Sequence, residues 1–224
     1  MPEPSRLPAA GQWAAGHFVA TCATGKRLIC KVPVASQRES VAALALEFTI
    51  LTAARTSETL GAKWTEINLA RKLWTVPAVR MKSGREHRVA LSNRATAILE
   101  ALAAAKTGEH VFPGQRLGKP LSSMAMEMVL RRAKAHGVTV HGFRSSFRDW
   151  CGEVSTFPRE VAEAALARVA GDQTERAYRR GDALEKRRAL MEAWAALLRA
   201  EGRQRRFNCA AGTIACGLRR NDFR

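Results

Sequence analysis

The sequence predicts a mainly α-helical fold carrying one small antiparallel β-sheet. Three observations lead there. Apolar residues recur at helical spacing through most of the stretch from Val41 to Ala200. A single pair of β-prone segments, LWTVPAV and HRVAL, flanks the polar turn MKSGRE, with Gly84 in the turn. The chain of 224 residues, 46% hydrophobic, is long enough to bury one sizeable core.

Residues 1–40 contain Pro2, Pro4, Pro8 and Pro33 and show no period, so they read as an irregular segment. Leu44, Phe48 and Leu51 share one face of a helix that ends near Arg55, and a short second helix fits Ser57 to Trp64. The hairpin follows. Ser92 is placed to N-cap a helix through Ala105 that turns Ile98, Leu99 and Leu102 inward. After the loop VFPGQRLGKP, helices are expected from Ser122 to about His136 and from His141 to Glu153. Another opens at Pro158 and ends before Gly171. Asp182 with Glu185 three residues on forms a capping-box pattern, opening an amphipathic helix with Leu190, Trp194 and Leu197 on one side. Residues 201–224 become basic and irregular. The expected organisation is one helical domain over 41–200 between two loosely specified ends.

Charge narrows the partner. Thirty-seven Lys and Arg stand against 20 Asp and Glu, a net charge of +17. That excess points to a polyanion, either nucleic acid or an anionic membrane surface. The polar face of the last helix mixes Glu185, Glu192 and Glu201 among its cations, which favours nucleic acid. The apolar run from Val41 to Ala54 is interrupted by Glu47 and is too short to span a bilayer. With no signal-peptide pattern at the N-terminus, a cytoplasmic protein without a membrane partner is expected. Five scattered cysteines show no metal-ligand spacing, and no phosphate-binding glycine motif occurs. No cofactor, metal or small-molecule substrate is expected.

Several residues carry candidate chemistry. Tyr178 is the only tyrosine in the chain and sits among Arg176, Arg179 and Arg180. A structural tyrosine is the commoner role, but cationic neighbours favour the phenolate, the form that attacks phosphorus. His141 and Arg144 stand three apart at a helix start and therefore share a face. Together an imidazole and a guanidinium can grip one phosphate, or the pair can be an ordinary helix-start surface. Arg55 follows an apolar helix, with Glu58 near enough to orient it; complementing the helix dipole is its plainer role. Lys82 lies in the hairpin turn, either solvated or reaching into a DNA groove.

The order of these residues is more telling than any one of them. The stretches TAARTSETLGAKW, HGFRSSFRDW and AYRRGDALEKRRALMEAW, over roughly Val41 to Leu198, resemble the tyrosine recombinase (phage integrase) family. The resemblance implies the catalytic-domain fold of that family and DNA cleavage and rejoining through a 3′-phosphotyrosyl intermediate. It implies that Arg55 and Arg144 hold the scissile phosphate and that Lys82 protonates the leaving 5′-oxygen. It also implies that His141 assists proton transfer, that Tyr178 is the nucleophile, and that neither metal nor ATP is needed. Double-stranded DNA and other copies of the same chain are the implied partners. Two departures stand out. Where the family has a second His or Trp, this chain has Arg168 in LARVAGD, which can donate to a phosphate oxygen but not act as a base. Residues 1–40 are also too few to supply the family's N-terminal core-binding domain. The alternative is therefore a DNA-binding remnant without turnover. A basic helical protein with no active site would not explain the ordered set. A type IB topoisomerase shares the chemistry but resembles these stretches less.

Overall fold

A computed structural model of the chain describes residues 17–21, 27–31, 40–106, 108–116, 118–133, 135, 137–168 and 183–210. The first forty residues, expected to be irregular, contain an antiparallel pair of strands, β1 (His17–Thr21) and β2 (Arg27–Lys31), paired from His17 with Lys31 to Thr21 with Arg27. The β1 backbone runs against two of the helices described below, α5 and α7.

The fold is built around α1 (Val41–Thr52), in which every residue from Leu44 to Thr52 is buried. Such a helix is apolar nearly all round, so only the centre of a bundle suits it. Ser40 caps its start by accepting from the Ala43 N–H. Its two inward threonines are satisfied locally: Thr49 and Thr52 donate to the carbonyls of Ala45 and Phe48, each at 2.7 Å. Glu47 is also buried and receives both forks of Arg94, at 2.6 and 2.8 Å, which neutralises a charge that would otherwise be costly.

Around α1 pack α2 (Thr56–Leu60), α3 (Asn93–Ala104), α4 (Met124–Arg132), α5 (Val140–Glu153) and the long α7 (Leu184–Ala210). The short α6 (Arg159–Ala165) lies against α5 and α7. The sheet is antiparallel in the order β3 (Ile67–Asn68), β4 (Leu73–Val76), β5 (His87–Ala90). A mainly α fold with a small antiparallel sheet was expected, and that is the architecture. Phe48 meets Trp74 and Phe112, each at 5.4 Å between ring centroids, which joins α1 to the sheet. Trp194 of α7 packs edge-on to Phe147 of α5 and donates its indole N–H to the Ile50 carbonyl at 2.9 Å. These contacts make one continuous core.

Local boundaries differ from the sequence reading in five places, two of them being α2, which ends at Leu60 short of Trp64, and α4, which ends at Arg132 short of His136. The β4–β5 connection is longer than a hairpin turn, because residues 78–80 form a 3-10 turn before the polar stretch that contains Lys82. The helix opening near Pro158 stops at Ala165 rather than approaching Gly171. The last helix continues to Ala210, through part of the tail expected to be irregular. The Asp182 capping reading lies outside the described residues. Among the described residues, no helix is long and apolar enough to cross a membrane.

Candidate active site

Three helix ends deliver the candidate residues. The first is the C-terminus of α1, where Ala53 takes the left-handed conformation (φ 49°) and turns the chain away from the helix axis. Two residues later Arg55 occupies the N-cap of α2. Its main-chain N–H donates to Glu58 Oε2 at 2.9 Å and its Nη1 donates to Glu58 Oε1 at 2.6 Å. Glu58 is only 3% exposed, so this carboxylate is a buried anion that fixes the Arg55 side chain in one direction.

The second end belongs to α5. Thr139 caps it by accepting from the Gly142 N–H, and Arg144 follows in the next turn. Arg144 is buried, 6% exposed. Its Nη1 donates to the Ala53 carbonyl and its Nη2 to the Leu166 carbonyl. These are the terminal carbonyls of α1 and α6, which carry the partial negative charge of two helix dipoles. Burial, and then the nearby Arg55 charge, lower the Arg144 guanidinium to about 10, with Arg168 adding to the effect and Glu58 and Glu163 opposing it. At pH 7 it remains a cation. A guanidinium has five N–H donors, so two bonds to carbonyls leave three for a ligand.

The third end is that of α6. Ala167 is left-handed (φ 49°), and the Arg168 N–H returns to the Glu163 carbonyl at 2.9 Å. Exposed, the Arg168 side chain has its Nη1 4.0 Å from Glu163 Oε2, while Arg148 Nε lies 3.4 Å from Glu163 Oε1. Arg55 and Arg168 thus each come within electrostatic reach of Arg144. Guanidiniums gathered about Arg144 suit a tetrahedral oxyanion, such as a phosphodiester, whose charge grows as a fifth oxygen joins phosphorus.

The remaining candidates are placed as follows. His141 is exposed in the first turn of α5, one turn ahead of Arg144. The shared-face reading of the pair is therefore only half apt, since Arg144 turns inward against two carbonyls. Lys82 is exposed between the 3-10 turn and Gly84, whose φ of +63° favours glycine. Beneath it, Arg80 ties the connection down by donating to the Glu58 carbonyl at 3.0 Å and pairing with Glu66. Tyr178 lies outside the described residues. Among the described residues, no three His, Cys, Asp or Glu side chains gather as a metal site requires.

Sequence reasoning missed His87. It is the first residue of β5, opposite Val76, on the same face as the buried Val89. Its ring lies near the Ala165 backbone and within electrostatic reach of Arg187, Glu58 and Arg144. Burial, reinforced by Arg187, lowers its pKa from 6.5 to about 4. The available signal was strand alternation, which places His87 inward with Val89. A pH effect follows. Between pH 6.5 and about 4 the unfolded chain binds a proton at this residue that the folded chain refuses, so this contribution to stability is whole above 6.5 and declines as pH falls. Urea titrations across that window should show stability falling with acid more steeply in the parent than in His87→Gln. Equal pH dependence in the two proteins would mean that the imidazole is not held neutral.

Comparisons with known proteins agree with this fold. The family model described as the Phage integrase family matches residues 26–180. Prophage integrase IntA of Escherichia coli (strain K12) is 42% identical over 154 residues, covering 67% of this chain and 37% of that protein. Prophage integrase IntZ of the same strain is 34% identical over 157 residues, covering 67% of this chain and 38% of its own length. The chain therefore spans well under half the length of these relatives. Among solved structures, an integrase from mycobacterium phage Brujita superposes with a TM-score of 0.55 at 17% identity, over 71% of this chain and 53% of that one, which shows a shared fold. A match that begins at the strand β2, passes through all three arginine-bearing helix ends and reaches Tyr178 makes this chain a member of the phage integrase family.

Proposed function

We propose that residues 41–200 act as a catalytic domain that cleaves and rejoins double-stranded DNA, with Tyr178 as the nucleophile. The observation that carries this reading is the fixed guanidinium of Arg144. Two helix termini and the Arg55–Glu58 pair orient the cations before any substrate arrives, so little reorganisation is needed in the transition state. Arg55 and Arg144 bind the non-bridging oxygens of the scissile phosphate. Tyr178 Oη attacks phosphorus as its proton passes toward His141, and the P–O5′ bond breaks as Lys82 protonates the leaving oxygen. Attack by a 5′-hydroxyl of a second strand reverses these steps and releases the tyrosine. The net charge of +17 supports DNA as partner, held mainly through phosphate contacts. Assembly with other copies of the chain on DNA, and a cytoplasmic setting, belong to the same reading.

A nicked suicide duplex, which lets the cleaved end diffuse away, tests it. The parent chain should accumulate a covalent protein–DNA adduct and Tyr178→Phe should accumulate none. A second reading, DNA binding without turnover, is favoured by Arg168 standing where the family has a histidine or tryptophan. Salt-sensitive binding with no adduct from the parent would select it.

A further inference from the structure

The chain leaves the α6 turn at Arg168 and enters α7 after Ala183, and Tyr178 lies between these two points in sequence. Where a connection can place one of its residues depends on how firmly its two ends are held. The first end is held by the Arg168 N–H on the Glu163 carbonyl and by the Arg144 fork on Leu166. The second end is the start of α7, which side chains of that helix fasten to its neighbours. Arg187 donates to the Arg88 carbonyl of β5. Arg188 donates to the Arg71 carbonyl, between β3 and β4, at 2.8 Å. Glu192 accepts from the Asn93 N–H at 2.9 Å and from its side-chain amide at 3.1 Å, at the start of α3. Arg187 differs from the others in being only 2% exposed. A buried guanidinium is costly unless its donors are met, so a residue of this kind is suited to fixing something in place. What it meets is the outer strand of the described sheet, whose main chain has no further strand on one side. Its own N–H bonds the Ala183 carbonyl at 3.0 Å and closes the first turn of α7.

We propose that Arg187 is a positioning residue for strand cleavage: by tying the first turn of α7 to β5 it fixes the point from which Tyr178 is delivered to the phosphate. The proposal rests on the strand-cleavage reading above. Arg187 stands nine positions after Tyr178, and its acceptor Arg88 stands six positions after Lys82. In-line attack needs the tyrosine oxygen and the leaving 5′-oxygen on opposite sides of phosphorus. A buried bond between α7 and β5 therefore relates the segment bearing the nucleophile to the segment bearing the residue assigned to protonate the leaving oxygen. The Lys82 connection is already tied down by Arg80, and β5 is already paired with β4. The part that gains from Arg187 is thus the start of α7, and with it the nucleophile. Buried as it is, Arg187 acts through the helix and does not touch DNA.

The test measures single-turnover cleavage at saturating protein on two nicked suicide duplexes, one ordinary and one with sulfur replacing the leaving 5′-oxygen. Sulfur leaves without an acid, so the second duplex removes any dependence on Lys82. Arg187→Met keeps the volume and loses the donor. It should slow cleavage of both duplexes by about tenfold to a hundredfold, the effect of a misplaced reacting group, with DNA affinity unchanged. Hydrogen exchange should quicken in peptides covering 183–190. Arg187→Lys, with a donor one atom shorter, should recover most of the rate. Trp194→Phe removes the indole N–H from the Ile50 carbonyl further along α7, and should cost stability while leaving the rate per folded molecule unchanged. A slowing by Arg187→Met that vanishes on the sulfur duplex would mean that it acts through Lys82, and would overturn the proposal. A parental rate from Arg187→Met, or an equal slowing by Trp194→Phe, would overturn it too, by reducing Arg187 to a core residue. Should Arg187→Met fail to fold, Arg187→Gln takes its place; its amide is two atoms short of the Arg88 carbonyl, and a parental rate from it overturns the proposal. A parent that forms no adduct sinks the strand-cleavage reading and this role with it, whereas a parent that cleaves beside an unaffected Arg187→Met sinks this role alone.

Discussion

Replacing Arg144 by methionine should lower stability by about 3 kcal/mol and remove measurable adduct formation. The two losses have one cause. Methionine fills much of the same space but leaves the carbonyls of Ala53 and Leu166 buried without donors, at a cost of roughly 1–3 kcal/mol each. The ends of α1 and α6 then lose their common anchor, and the candidate phosphate site loses a fixed donor worth on the order of a hundredfold or more in rate. Arg144→Lys separates the two contributions. A lysine keeps the charge but, as a compact ammonium on a flexible stem, cannot bridge two carbonyls with a planar fork. It should recover part of the stability and little of the cleavage. Urea unfolding and the suicide-substrate assay read the two outcomes. A methionine variant with the parental unfolding midpoint would mean that the guanidinium does not join the helix ends.

Arg168→His should raise the rate of adduct formation by about a hundredfold, the worth of one well-placed donor. Arg168 is exposed and reaches back toward Glu163, which Arg148 also approaches, so its guanidinium is shared between a carboxylate and any phosphate nearby. Histidine at this position restores the residue type of the family and is too short to be drawn to Glu163 in the same way. The α6 turn depends on main-chain bonds at 167 and 168, so the backbone should accept the change. Tyr178→Phe must abolish the adduct in both backgrounds. A rate unaffected by Arg168→His would show that position 168 takes no part in the chemistry of this chain.

What the sequence revealed, and what it did not, divides along local and non-local lines. Helices α1, α3 and α5 were legible because their apolar spacing and, for α3, the Ser92 cap are written within a dozen residues. The Arg55–Glu58 pair was legible for the same reason, being three residues apart. Arg144 was identified as a candidate, but its environment was not: its two acceptors lie 91 and 22 positions away, and no local pattern announces them. His87 escaped because its neighbours come from α2, α5, α6 and α7, while the five letters HRVAL speak only of a strand. The early strands were missed where short β-prone runs, HFVAT and RLICK, stand among prolines and glycines that suggest loop.

The fork of Arg144 also limits how this chain can drift. Each residue added to a helix turns its last carbonyl by about 100° around the axis and moves it about 1.5 Å along. An insertion or deletion in α1 ahead of Ala53, or in α6 ahead of Leu166, therefore swings one carbonyl off a planar group that cannot follow. Substitutions along the apolar surface of α1 leave that registration untouched so long as volume is kept. Related chains are thus free to vary in the composition of these two helices while being held to their lengths.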